Sequence, residues 1–133
     1  MILKTVFVGL SAALMSLFAC AASAPDFQVH YERYHNGQFD TDAAFIDITA
    51  VGPNQYQVSG TAISVADASA GLVNVGEING VVTVTGHQLH YDVDGCTLHL
   101  LLDQNTLVVS HDNGCGGLNV SFNGTYVKTS ERQ

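Results

Sequence analysis

Basic side chains are scarce in this chain. Lys4, Arg33, Lys128 and Arg132 stand against twelve acids, for a net charge of −8. That balance excludes nucleic acid as a partner, because a phosphate backbone needs a Lys/Arg footprint. Prolines are scarcer still: Pro25 and Pro53 are the two, and neither interrupts a patterned run. The apolar run near the N-terminus is too short to span a bilayer, and no later stretch comes near the roughly 18 to 20 residues of a membrane-crossing helix, so a transmembrane span is not expected. The three-four spacing of an amphipathic helix is not sustained beyond the first residues, and neither a repeat nor a charge block appears. The three cysteines, Cys20, Cys96 and Cys115, include no Cys-x-x-Cys pair, which points away from a redox motif.

What is present begins with an export signal. Lys4 is followed by an uncharged, mostly apolar run over residues 5–19 and then by Cys20-Ala21-Ala22-Ser23-Ala24. A positive residue, an apolar segment and a small-residue exit make a secretory leader. Residues 1–24 are read as a signal peptide and 25–133 as one domain of ordinary size. Cleavage near Ala21 to Ala24, one to three residues before Ala24 because Pro25 disfavours a cut directly after it, would give a soluble periplasmic or secreted protein. Leu17-Phe18-Ala19-Cys20 also resembles the lipobox of bacterial lipoproteins, in which Cys20 would be lipidated and tether the protein to the envelope. Either route ends in an oxidising compartment, where Cys96 and Cys115 are expected to pair. Closing that loop is worth roughly 3 kcal/mol on the chain-entropy model. Loss of Lys4 with the leader takes the net charge to −9. An acidic surface keeps an exported protein soluble and speeds encounter with a basic partner at low salt.

Beyond the leader the hydrophobic period is two, with turn residues between runs. Phe27, Val29 and Tyr31 form one inward row, Ala44, Ile46 and Ile48 a second, Tyr56, Val58, Gly60 and Ala62 a third, and Ile78, Gly80, Val82 and Val84 a fourth. Gly52-Pro53-Asn54 supplies a turn. Asp94-Gly95 between two alternating runs predicts a two-residue type I′ hairpin. It pairs Val93 with Cys96, Asp92 with Thr97, Tyr91 with Leu98, His90 with His99 and Leu89 with Leu100. The next hairpin pairs Leu102 with Leu107. A last strand is predicted to carry Val120, Phe122, Gly124 and Tyr126 on one face. The fold is therefore all-β: a single antiparallel barrel of about eight strands with one disulfide, a sandwich being the alternative. Glycines inside strands favour the barrel, where they permit sharp bends or close backbone approach.

No catalytic constellation stands out. Ser110-His111-Asp112 names three triad residue types, but consecutive strand residues point to alternate faces. No nucleophile elbow or phosphate cradle is present, so the chain is read as non-enzymatic and without a cofactor. A metal site is not expected. The one arrangement that invites it is His90 opposite His99 on the outward face, with Asp92 diagonal to the pair. His30, His35 and His87 read as solvated positions. Residues 65–71, including Asp67 and Ser69, read as a flexible or protruding loop able to present contacts.

From Gly76 onward the chain resembles a domain of small exported bacterial proteins, some of them linked to lysozyme inhibition. The residues that carry the likeness are Gly76-Glu77-Ile78-Asn79-Gly80, Cys96, Cys115-Gly116-Gly117, and then Asn119, Val120, Phe122, Gly124 and Tyr126, over residues 76–127. The resemblance implies a Cys96–Cys115 bridge, a compact β-barrel and an envelope location. The function expected is that of an exported binding protein, an inhibitor of a basic lysozyme-type hydrolase being the leading form. A metal-binding envelope protein and a structural lipoprotein are the alternatives.

Overall fold

A computed structural model describes residues 29–129. The leader, Cys20 and Phe27 lie outside the described residues. Nine strands follow one another: β1 (His30–His35), β2 (Gln38–Phe39), β3 (Ala44–Gly52), β4 (Gln55–Asp67), β5 (Leu72–Thr85), β6 (Gln88–Val93), β7 (Cys96–Asp103), β8 (Thr106–Ser110) and β9 (Gly124–Thr129). Every pairing is antiparallel, and apart from β1 with β3 and β1 with β9 each strand pairs with its neighbours in sequence. The β1–β9 pairing runs from His30 with Thr129 to Tyr34 with Thr125 and closes an eight-stranded barrel. The two residues of β2 form a spur on β1. A barrel, not a sandwich, is the observed fold. No helix among the described residues is long and apolar enough to cross a membrane.

The interior is a packed core. Tyr31, Ile46, Ile48, Val58, Leu89, Leu98, Leu100, Leu107, Phe122 and Tyr126 are all at most 2 % exposed, as expected for eight strands, whose lumen is just wide enough for side chains. Each such side chain contributes about 1.5–3 kcal/mol on burial. Turn chemistry sets the register. Asn36-Gly37 (φ 52° and 78°) and Asp94-Gly95 (φ 52° and 83°) take the positive angles of type I′ turns. The pairings predicted around Asp94-Gly95 and at Leu102–Leu107 are those observed, residue for residue. Cys96 and Cys115 form the disulfide, with Cα atoms 4.9 Å apart.

Two expectations are corrected. The last strand starts only at Gly124; Val120 and Phe122 are buried but precede it. Asp112 is the physical reason. One carboxylate oxygen accepts the Gly114 and Cys115 amides at 2.8 Å each, and the other accepts the Phe122 amide at 2.7 Å. Those bonds fold the segment 111–123 into an irregular plug instead of an extended ladder. Nor are residues 65–71 a free loop. Val65 and Asp67 belong to β4, paired with Val73 and Leu72 across a bulge, and only residues 68–71 turn.

Candidate binding surface

The predicted site residues fall into separate places. Asp67 and Ser69 bond to each other: the carboxylate accepts the Ser69 amide at 3.0 Å, its hydroxyl at 2.7 Å and the Ala70 amide at 3.3 Å. These donors, the Ser69 hydroxyl first, hold the Asp67 carboxyl below its ordinary pKa. Both residues build the turn at the tip of the β4–β5 hairpin.

His90 and His99 do meet, with ring centroids 4.4 Å apart, but the third member of the row is His111, 5.0 Å from His99. No three His, Cys, Asp or Glu side chains among the described residues are disposed to hold a metal ion. His111 reaches the row because its backbone is left-handed, φ 60°, and because the segment behind it is fastened to β7. Asn113 accepts the Thr97 amide at 2.9 Å and donates to the Gly95 carbonyl at 2.9 Å, beside the disulfide. The same left-handed residue breaks strand alternation, so His111 Nδ1 lies 2.9 Å from Ser110 Oγ. The Asp112 carboxylate is engaged by its three backbone amides, so the three residues do not make a relay.

His30 is not a bystander. Its Nδ1 lies 2.5 Å from Asp47 and its Nε2 3.1 Å from Glu32. Partial burial lowers its pKa, but the two carboxylates outweigh burial and hold it above the ordinary value. Arg33 was legible only as a base, yet it is 7 % exposed. Its guanidinium donates to the carbonyls of Ser121 (2.6 Å), Asn123 (3.3 Å) and Asp42, and Nε faces the Asp40 carboxylate at 3.2 Å. It thus ties the plug segment to the loop before β3 and floors a polar hollow of about 610 Å³. Nearby, the Tyr126 hydroxyl donates to the Phe122 carbonyl at 2.6 Å. Burial pushes this phenol well above its ordinary pKa, against the opposing charge of Arg33.

The largest departure from a regular barrel is the seam between β5 and β6. These strands pair only at Val84–Leu89 and Thr85–Gln88; beyond that point side chains make the wall. Gly80 has no Cβ, and one there would sit 2.6 Å from Val93 and 3.3 Å from the Tyr91 ring. Its absence lets Tyr91 lean across and accept the Asn79 amide at 3.1 Å. Farther out, a Cβ on Gly76 would lie 2.3 Å from Gly116 Cα, so the disulfide-bearing plug seats directly on the bare backbone of β5. A cleft of about 470 Å³ opens along the seam, lined by Glu77, Asn79, Asp94, Gly95 and Cys115 among others.

Outside the seam, the β4–β5 hairpin runs on past the part that β3 covers, since the β3 ladder reaches only Ala62. Its outer face carries the cross-strand pairs Ile63–Val75 and Val65–Val73. Val75 is 58 % exposed, Val73 46 % and Leu72 58 %. No protein-family model matches the chain, and no curated protein or solved structure matches it either.

Proposed function

We propose that this protein is an exported, non-enzymatic binding module of the cell envelope whose partner is a basic protein, with lysozyme-type hydrolases the first class to test. The observation that carries the reading is the outer face of the β4–β5 hairpin. Val65, Val73 and Val75 stand open to solvent there, with Leu72 exposed at the start of the same strand as the last two, on an element that continues past its neighbours. Large apolar side chains gathered on the surface of a small soluble domain mark an interaction site. The surrounding charge gives the partner its sign. Among the described residues Lys128 is the sole exposed Lys or Arg, so a cationic protein is drawn in and an anionic one repelled. The hydrolase class is put first because the sequence of residues 76–127 resembles exported domains linked with lysozyme inhibition; the acidic charge and the exposed valines ask only for a basic partner.

The test mixes the purified mature protein with basic cell-wall hydrolases of several classes and follows both binding and lysis. Saturable binding that weakens as salt rises, with lysis slowed near stoichiometric ratios, supports the reading. Unslowed lysis and no binding at micromolar excess against every class removes it. The mass of the natively processed N-terminus separates the two addresses: a diacylated Cys20 means a tether, a cut after residues 21–24 a soluble protein.

A further inference from the structure

Among the described residues, one side of β5 has no strand beside it over most of its length. From Leu72 to Thr83 its ladder partners lie on β4, and β6 takes only Val84 and Thr85. Backbone groups along a strand alternate in direction, and the Asn79 amide aims across the seam at Tyr91. Val73, Val75 and Glu77 share its parity, so their N–H and C=O groups face the same way. Among the described residues none of the three has a ladder partner on that side. Natural sheets blunt such edges with lysine, proline or bulges. Residues 72–78 contain neither lysine nor proline, and the bulge of this hairpin falls at Val65–Asp67 on β4. The charged residues lining the adjoining cleft are Glu77 and Asp94, with no base among them.

We propose that the free edge of β5 is a docking site for an extended segment of a basic polypeptide. The segment adds as a further strand, bonds the backbone of Val73, Val75 and Glu77, and points a Lys or Arg at Glu77 and Asp94. Main-chain bonds supply affinity and the alternate side chains supply selectivity. Charge is what selects this occupant over a second copy of the chain, whose own Glu77 would be brought against the same acidic cleft. The proposal rests on the reading of the protein as a binder of basic proteins and assigns that binding to a surface.

The test is calorimetric titration of the mature protein with an alternating Lys–Val octapeptide and its Glu–Val counterpart. We expect saturable heat with the first and at least tenfold weaker binding of the second. Val75→Pro deletes an amide that faces the open side and leaves the β4 ladder intact, the setting in which edge strands accept proline. With circular dichroism unchanged, it should weaken the Lys–Val peptide at least tenfold, while Val75→Thr should not. Glu77→Lys should weaken it several-fold and serves where the proline variant fails to fold. No heat with the Lys–Val peptide, equal binding of both peptides, or full binding by Val75→Pro and Glu77→Lys overturns the proposal. So does a concentration-dependent dimer that Val75→Pro dissolves, which would hand the edge to a second copy. A basic hydrolase that binds Val75→Pro as tightly as wild type sinks the edge but leaves the proposed function standing. Peptide binding at β5 with no basic protein bound does the reverse.

Discussion

Arg33 shows how much of this small barrel hangs on one buried cation. Three carbonyls and the Asp40 carboxylate converge on its guanidinium, and a lysine could not reproduce that planar fork. Removing one partner of a buried pair costs about 3–5 kcal/mol, because the other stays uncompensated. Arg33→Gln should therefore lower the unfolding free energy by that order, read by urea denaturation; a loss below about 1 kcal/mol would mean the carbonyls are satisfied without it. His30 gives a prediction with a definite sign. Its folded pKa is raised, so its contribution is complete below the unfolded value near 6.5 and fades as pH climbs through the folded value. Part-exposure and screening keep it under about 1 kcal/mol. The stability gap between wild type and His30→Gln should be widest near pH 6 and shrink by pH 8. A gap that widens instead would show that burial, not Asp47 and Glu32, governs the imidazole.

Among the elements, the β6–β7 hairpin was fully legible in the sequence, and for a local reason. Asp94-Gly95 specifies the turn, and the turn fixes which residues share a face, so leucines and histidines separate without knowledge of anything distant. The plug at residues 111–123 was not legible. Val120, Phe122 and Gly124 keep an alternating pattern, but the Asp112 carboxylate gathers amides from both ends of the segment, a contact no periodicity reports. The seam was half legible: Gly80 stood out as a glycine in a strand run and Gly76 only as part of the family resemblance, yet that they accommodate Tyr91 and Gly116 depends on elements far along the chain. His111 joined the imidazole row for a similar reason, its left-handed backbone overriding strand alternation. The plug is also where the disulfide acts. Its cysteines are 19 residues apart, so replacing both with serine should cost roughly 3 kcal/mol on the loop-entropy argument, measured by denaturant unfolding of oxidised wild type against the double variant. An unchanged midpoint would mean that Asp112 and Asn113 hold the plug alone.

At the scale of the whole molecule, closure and openness coexist. The β1–β9 ladder closes the barrel and removes its edges, while the β5–β6 seam reopens one of them beside an acidic cleft and an exposed valine face. The proposed binding surface combines an acidic body with the open edge of β5, an arrangement that would suit an extended basic partner. Native-state amide exchange on the free mature protein tests this most directly, residue by residue along β5. We expect the amides of Val73, Val75 and Glu77 to exchange far faster than those of Asn74, Gly76 and Ile78, which bond to β4. Comparable protection of all six would show that the edge is already occupied and would contradict the binding surface assigned to it.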